Sequence, residues 1–237
     1  MADILILKMG SAMPSLARRR GDFEDYTSTG LGLPIEACTV VTPYLGETLP
    51  DPSRYSGIVL TGSDSMVTDQ LDWSVTTRDW LITALSCNTR ILGICYGHQL
   101  LAEALGGSIG WNPNGLEVGT ISVRLTPEGR QLPLFSGLPD ILRVQCYHSQ
   151  SVLQLPEGTR ILCENDHDAV QGFAWKDRAW GVQFHPEFDA DIMRAYLLAD
   201  RDELRDKGLN PESLLDECHE SHHGPALLAN FYRLACT

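Results

Sequence analysis

The stretch Ile91-Leu92-Gly93-Ile94-Cys95-Tyr96-Gly97-His98-Gln99 places a cysteine directly after a short apolar run. The run predicts a buried strand, and apolar residues then recur at helical spacing over 100–105. Gly93 and Gly97 flank the cysteine and permit a sharp, strained turn between the strand and the helix. The sequence therefore predicts that Cys95 lies at the carboxyl end of a strand, where the first amides of the next helix favour a thiolate.

The same alternation of strand and helix extends over the first half of the chain. The predicted strands are Ile4–Leu7, 37–41, Gly57–Leu60 and Arg90–Ile94. Between the last two, Asp72 is the predicted cap of a helix whose apolar residues recur at spacings of three and four. Short aliphatic strands that alternate with helices are typical of a parallel sheet covered on both faces.

The second half of the chain has a different pattern. Three runs are rich in β-branched residues or alternate in polarity, with proline and glycine between them, and they predict further, partly antiparallel strands. These runs lie at 120–125, 142–147 and 169–173. Helices are predicted again at 189–205 and 226–234, with a break and a fresh helix start at 209–212.

Length and charge limit the possible classes of protein. With 237 residues, of which 43% are hydrophobic, the chain can form one sizeable core. We therefore predict a single domain over 1–237, with about 200–237 as a helical C-terminal extension. The formal net charge is -13, from 31 acidic and 18 basic side chains. Because phosphate backbones are bound through lysine and arginine, a nucleic-acid partner is not expected.

The first residues and the cysteines bear on location in the cell. Asp3 stands where a signal peptide would carry basic residues, and the apolar run that follows is too short for a signal core. No later stretch approaches the roughly 20 apolar residues of a membrane span. Seven cysteines, an odd number, are scattered among predicted strands and helices, which favours reduced side chains. The sequence predicts a cytoplasmic protein with no membrane partner.

A second motif, Gly181-Val182-Gln183-Phe184-His185-Pro186-Glu187, occurs later in the chain. In extended backbone His185 and Glu187 project to the same side, and Pro186 between them fixes one dihedral angle. A lone histidine after a strand is more often a surface or core residue than a catalyst, and a lone buried cysteine is often inert. The combination favours a catalytic interpretation, because a thiolate needs an imidazole and the imidazole needs a carboxylate that orients it.

Together the two motifs closely resemble those of the class I, or triad, glutamine amidotransferase family. The resemblance covers roughly 4–197, and both motifs occur in the family's order. It implies an α/β fold of the flavodoxin-like type, with a mainly parallel open sheet flanked by helices, a partly antiparallel extension and C-terminal helices. Open α/β sheets place their sites at the carboxyl ends of the strands, where Cys95 is predicted to lie.

The resemblance also implies a reaction. In the family the cysteine attacks the side-chain amide of glutamine, ammonia leaves, and water hydrolyses a γ-glutamyl thioester. Cys95 is the implied nucleophile, His185 the base and then the acid, and Glu187 the residue that orients His185. We expect no cofactor and no metal.

Further site residues follow from their positions in the family's motifs. The backbone amides of Ser63 and Tyr96 form the implied oxyanion hole, and many relatives carry glycine where this chain has Ser63. The implied substrate-binding residues are Gly62, Gln99, Ser149 and Gln150. His148 is interpreted as a structural hydrogen-bonding residue and Glu117 as part of a structural turn.

A group of possible metal ligands lies near the C-terminus. Cys218, His219, His222 and His223 have spacings that could collect a metal on a helix. Carboxylates lie close by in the sequence, and Gly224-Pro225 follows at once, so a polar surface is the better interpretation.

The sequence leaves three functions open. The chain shows no Gly-x4-Gly-Lys-Ser/Thr phosphate loop, so ammonia from glutamine would pass to a separate, unidentified synthase subunit. The alternative is a freestanding γ-glutamyl hydrolase or peptidase, which acts on a larger γ-glutamyl amide and needs room for its leaving group. A second alternative, a non-catalytic sensor or scaffold, is disfavoured by the intact set of Cys95, His185 and Glu187.

Overall fold

A computed structural model describes residues 3–237 and contains a large mixed sheet between two layers of helices. The strands are β1 (Ile4–Leu7), β2 (Cys38–Val41), β3 (Gly57–Leu60), β4 (Arg90–Ile94), β5 (Ser108–Trp111), β6 (Glu117–Leu125), β7 (Ile141–His148), β8 (Gln150–Gln154), β9 (Thr159–Glu164), β10 (Gly172–Trp175) and β11 (Ala179–Val182). The helices are α1 (Pro14–Arg20), α2 (Phe23–Leu31), α3 (Asp72–Ser86), α4 (Tyr96–Ala104), α5 (Pro127–Gln131), α6 (Ala190–Ala199), α7 (Arg201–Asp206), α8 (Pro211–Asp216) and α9 (His223–Ala235).

Nine strands form the sheet in the order β2-β1-β3-β4-β11-β10-β9-β6-β7. The first five are parallel neighbours, and the remaining pairs are antiparallel. Strands β5 and β8 form a separate antiparallel pair. The parallel part has the flavodoxin-like order, in which a strand from late in the chain takes the fifth place. The fold predicted from the sequence, including its partly antiparallel extension, is confirmed.

The central parallel strands are apolar on both faces because helices cover both faces. Ile4 and Ile6 of β1 pack toward a cluster that includes α9, whereas Leu5 and Leu7 pack toward a cluster that includes α3 and α4. Successive side chains of a strand point to opposite faces, so one short run contributes to two cores. Among residues 3–237, no helix combines the length and apolar character that a bilayer crossing requires.

Several predicted bounds are wrong in detail. The helix predicted at 189–205 is two helices, α6 and α7, because the backbone leaves α-helical geometry at Asp200, whose carboxylate accepts a hydrogen bond from Tyr147. The strand predicted at 169–173 begins only at Gly172, since the Asp168 carboxylate accepts the Val170 amide and forms a turn. Asp72 is the first residue of α3, and Leu71 holds the cap position.

Smaller differences concern other element ends. The run at 37–41 is a short 3-10 turn followed by β2, and the helix predicted at 226–234 is the longer α9. The fresh helix start at 209–212 is confirmed, because the side chain of Asn210 caps α8. The last helix is part of the main core, since Leu227, Leu228 and Phe231 pack with buried residues of the sheet.

Candidate active site

Three neighbouring strands of the sheet bring the candidate site together. Strands β3, β4 and β11 are adjacent and parallel, so their carboxyl ends lie at one edge. The chain continues from these ends into Gly62 and Ser63, into Cys95, and into His185 respectively. The sheet topology therefore places side by side residues that are up to 123 positions apart.

Cys95 occupies a strained turn between β4 and α4. Its backbone has φ 50° and ψ -103°, a left-handed conformation that non-glycine residues rarely adopt. The Cys95 amide donates to the Val182 carbonyl at 2.9 Å, and the Cys95 carbonyl accepts from the Gln99 amide at 3.1 Å. A Cβ atom at Gly97 would lie 2.6 Å from the Leu60 carbonyl oxygen, so close packing requires glycine there. The surroundings thus fix the thiol at the sheet edge.

His185 and Glu187 form a buried pair beside this thiol. The distance between His185 Nδ1 and Glu187 Oε1 is 2.8 Å, and the two residues are 5% and 8% exposed. Burial lowers the pKa of His185, but the charges and hydrogen bonds of Glu187 and Cys95 outweigh it and raise this pKa to about 10. The pairing therefore favours an imidazolium beside Cys95, an arrangement that suits a cysteine nucleophile.

Three contacts that the sequence did not reveal hold His185 and the residue after it. The ring of Phe188 stacks on His185 with 4.1 Å between centroids and 14° between planes. The His185 amide donates to the Gln145 carbonyl at 2.8 Å. Gly224 at the start of α9 packs so closely on Pro186 that a Cβ atom would collide with its backbone. Phe188 is three residues from His185, but no spacing rule for extended chain predicts this stack.

Gly62 closes the remaining side of the imidazole. A Cβ atom at Gly62 would lie 2.8 Å from His185 Cε1. We expect Gly62→Ala to displace the ring and to lower kcat roughly 10- to 100-fold, because a shift of about 1 Å can cost that much. Steady-state hydrolysis assays and a thermal unfolding midpoint check this prediction.

Gly110→Ala is the matched control for this variant. Its Cβ atom would meet only the end of the Leu153 side chain, which is 55% exposed and free to turn away. If Gly62→Ala and Gly110→Ala have equal activity, the proposed contact between residue 62 and the imidazole has no role in catalysis.

A cavity of about 370 Å³ opens onto Cys95 and His185. The wall beside the thiol contains Ser63, Tyr96, Gln99, Ser149 and Gln150. Gly62 is not part of this wall, because it lies against His185. Its predicted contact with substrate stays a prediction, whereas the other predicted binding residues and the thiol share one space.

Hydrogen bonds fix the wall that Gln99 and Gln150 form. Gln99 Nε2 donates to the Gln150 carbonyl at 2.7 Å and to Gln183 Oε1 at 3.0 Å. Gln150 Nε2 donates to Thr68 Oγ1 at 2.6 Å, and the Ser149 carbonyl accepts from the Asn112 amide at 2.9 Å. These contacts hold the side-chain amides of Gln99 and Gln150 and fix the segment 149–150 at the wall of the cavity.

Ser63 is held in place by the loop after β1. A Cβ atom at Gly10 would lie 2.8 Å from Ser63 Cα, so the two backbones are in close contact. Thr61 Oγ1 accepts from the Met9 amide at 2.9 Å and donates to the Gly62 carbonyl at 3.0 Å. The loop that carries the predicted oxyanion amide is therefore braced although it lacks a second glycine.

The outer wall of the cavity is acidic and comes partly from α6 and α7. It includes Asp64, Asp200, Glu203 and Lys207, and the Tyr147 hydroxyl donates to Asp200 at 2.8 Å. Burial and the charge of Asp200 raise the pKa of Asp64, whereas the charge of His185 lowers it. The mouth of the cavity thus carries more negative than positive charge.

The C-terminal cysteine and histidines have separate hydrogen-bond partners. Cys218 is buried and its thiol donates to the Ala190 carbonyl at 3.5 Å. His223 Nδ1 accepts from the Arg143 amide at 2.8 Å, and the His219 amide donates to Thr120 Oγ1 at 3.0 Å. These contacts tie the segment before α9 to the sheet.

Comparison with known proteins identifies the family. The family model described as glutamine amidotransferase class-I matches residues 35–202. The chain belongs to the class I glutamine amidotransferases. The family resemblance of the two motifs is thereby confirmed, and the class is hydrolytic.

Individual relatives of this chain differ in named activity. Gamma-glutamyl peptidase 4 of Arabidopsis thaliana is 31% identical over 145 residues, which cover 60% of this chain and 58% of the peptidase. The GMP synthase [glutamine-hydrolyzing] of Aeropyrum pernix is 36% identical over 143 residues, which cover 60% of this chain and 26% of the synthase. The chain thus spans less than two thirds of either relative.

A solved structure supports the fold. A glutamine amidotransferase from Thermotoga maritima has a TM-score of 0.78 and 24% sequence identity, with 100% of both chains covered. This likeness shows the fold of the chain and does not identify a substrate.

Proposed function

We propose that this protein hydrolyses a γ-glutamyl amide through a thioester on Cys95. The observation that carries this proposal is the pair of His185 and Glu187, 2.8 Å apart, at the edge of the cavity onto which Cys95 opens. The family of this chain is hydrolytic, and the relatives of the chain are named for glutamine or γ-glutamyl substrates.

The proposed reaction has two halves. The Cys95 thiolate attacks the γ-carbonyl carbon, and the amides of Ser63 and Tyr96 stabilise the resulting oxyanion. The carbon–nitrogen bond breaks as His185 protonates the departing amine. His185 then takes a proton from water, the hydroxide attacks the thioester, and glutamate and the thiolate are released. Glu187 keeps the imidazole in the orientation that both transfers need.

The size of the cavity favours an amide larger than that of glutamine. A volume of about 370 Å³ is within the usual range for small-molecule sites, about 300–1,000 Å³. Beyond the predicted glutamyl-binding residues, the cavity continues between Met13, Phe23, Phe188 and the residues of α6 and α7. We propose that this outer space accepts the leaving group of a γ-glutamyl peptide or amine, which makes the protein a freestanding hydrolase.

A second candidate is the donation of ammonia to a separate synthase subunit. The identity of 36% with part of a GMP synthase supports it, because that name includes glutamine hydrolysis. In this reading glutamine is the substrate, and the outer space is the contact site for the synthase.

A product assay with a substrate panel separates the two candidates. The panel contains glutamine and γ-glutamyl amides with neutral, cationic and anionic leaving groups, since the outer wall carries three carboxylates and one ammonium group. Glutamate and the released amine are both measured, with Cys95→Ala as the blank. We expect kcat/KM for the best larger amide to exceed that for glutamine by about tenfold or more.

Two other outcomes of the substrate panel would contradict the freestanding hydrolase. Glutamine as the best substrate would contradict the freestanding hydrolase and favour the ammonia donor. Equal product with wild type and Cys95→Ala on every substrate would contradict both candidates and favour the non-catalytic sensor or scaffold.

A further inference from the structure

A buried hydrogen-bonded pair of titratable side chains lies behind the substrate wall, where β6 begins and β7 ends. Glu117 and His148 face each other in the antiparallel register, and they are 7% and 3% exposed. The distance between His148 Nε2 and Glu117 Oε2 is 2.9 Å. Neither residue belongs to the proposed set of reacting groups, so their burial needs another explanation.

The neighbours of Glu117 all donate hydrogen bonds to it. Oε1 accepts from Asn165 Nδ2 at 2.6 Å, and Oε2 accepts from Gln171 Nε2 at 2.6 Å and from the Cys146 thiol at 3.7 Å. Burial raises the pKa of Glu117, but the hydrogen bond and charge of His148 outweigh it and lower this pKa. Glu117 is therefore a carboxylate.

His148 faces an acceptor at each ring nitrogen. Nε2 faces the Glu117 carboxylate, and Nδ1 donates to the Gln150 carbonyl at 2.9 Å. A carbonyl and a carboxylate both accept hydrogen bonds, so the ring of His148 is held between two fixed acceptors. The donors around Glu117 satisfy its carboxylate, which makes the burial of the pair tolerable.

A metal site is the other explanation for this group of buried side chains. The ligand atoms of Glu117, Cys146 and His148 lie within 4.8 Å of one another. However, the side-chain amides of Asn165 and Gln171 donate to the two carboxylate oxygens, so both oxygens already have hydrogen-bond partners. Burial and the nearby Glu117 charge raise the pKa of Cys146 well above its ordinary value, so its thiol stays protonated. The group is a hydrogen-bonded network.

The network ends at the wall of the substrate cavity. The Gln150 carbonyl that accepts from His148 also accepts from Gln99 Nε2 at 2.7 Å, and His148, Ser149 and Gln150 all line the cavity. We propose that Glu117 and His148 are positioning residues, which hold the turn at 148–150 and Gln99 in the geometry that binds the glutamyl group. This inference rests on the proposed hydrolysis of γ-glutamyl amides.

Two reagents that attack the same thiol test the inference. The diazoketone analogue of glutamine needs the glutamyl-binding wall to reach Cys95, whereas iodoacetamide does not. The rate of Cys95 modification is followed by mass spectrometry of the Cys95 peptide in wild type, Glu117→Gln, His148→Gln and the double variant. Glu128→Gln, an exposed change in α5, is the matched control.

We expect the diazoketone to react about tenfold or more slowly in each single variant, while the iodoacetamide rate changes less than about twofold. The double variant should be no slower than the slower single variant, because the two residues act as one unit. If a single variant does not fold, the double variant decides, since it replaces the buried carboxylate and its histidine partner together.

Each other outcome counts against the inference. Unchanged labelling by the diazoketone shows that the pair is dispensable for binding, and equal slowing with both reagents shows a general effect on the thiol. If wild-type Cys95 reacts with iodoacetamide but not with the diazoketone, the proposed function itself fails, and the positioning role fails with it.

Discussion

Replacement of Cys95 with alanine is expected to remove the hydrolytic activity almost completely. The proposed reaction passes through a covalent thioester, and alanine offers no group that can form one. In triad enzymes, loss of the nucleophile lowers kcat by several orders of magnitude, so we expect kcat/KM to fall at least about a thousandfold. Release of glutamate and amine from the best substrate of the panel is the measurement.

The control must separate chemistry from folding. Cys236→Ala changes an exposed cysteine at the end of α9 and should leave kcat/KM unchanged. Thermal unfolding of Cys95→Ala should retain a single transition, because the 95 side chain contributes only a small part of the buried core. A Cys95→Ala protein that folds and keeps more than about a tenth of wild-type activity would contradict the thioester mechanism.

Local patterns predicted the core of the site because each motif occupies one short segment. The turn at Cys95 follows from an apolar strand, two glycines and an amphipathic helix, all within 91–105. His185 and Glu187 do come together, but the extended chain assumed for them is wrong, because 186–187 form a turn in which the Phe188 amide donates to the His185 carbonyl at 3.3 Å. The flavodoxin-like order, with β11 beside β4, came from the family resemblance and not from periodicity.

Features that depend on contacts between distant segments were not predictable. The break between α6 and α7 coincides with the bond from Tyr147 to Asp200, which are 53 positions apart. Likewise, α9 supports the segment of His185 only because Gly224 contacts Pro186. Helical spacing reports the apolar face of a segment, but it does not report which distant residue interrupts it.

The same contacts explain how the C-terminal helices take part in the site. Helix α6 supplies Tyr196, the break after it supplies Asp200, and α7 supplies Glu203 to the outer wall. Helix α9 packs on the sheet. The outer space in which we place the leaving group is thus lined by α6 and α7, which lie outside the two sequence motifs. Substrate choice should therefore respond to changes in α6 and α7 more than the chemical step does.

Glu187→Gln is expected to lower kcat about a hundredfold or more and to change its dependence on pH. The carboxylate of Glu187 is the first of the charges that raise the pKa of His185 to about 10 against the effect of burial. A neutral amide removes this charge, so the pKa of His185 falls and the imidazolium is lost at lower pH. Since the departing amine takes its proton from that imidazolium, the alkaline limb of kcat should move to lower pH.

Stability should change with pH in the same sense. The pKa of His185 in the folded protein lies above its ordinary value of 6.5, so its pairing stabilises the fold fully below pH 6.5 and is lost as the pH rises through about 10. The difference in unfolding free energy between wild type and Glu187→Gln should therefore be largest at the acidic end of this window and should shrink toward pH 10.

The control for both pH profiles is Glu157→Gln, which changes an exposed carboxylate between β8 and β9 and should alter neither profile. An alkaline limb at the same pH in wild type and Glu187→Gln would contradict this prediction. Glutamine has nearly the same shape as glutamate but lacks its negative charge, so this result would show that Glu187 does not set the protonation of His185.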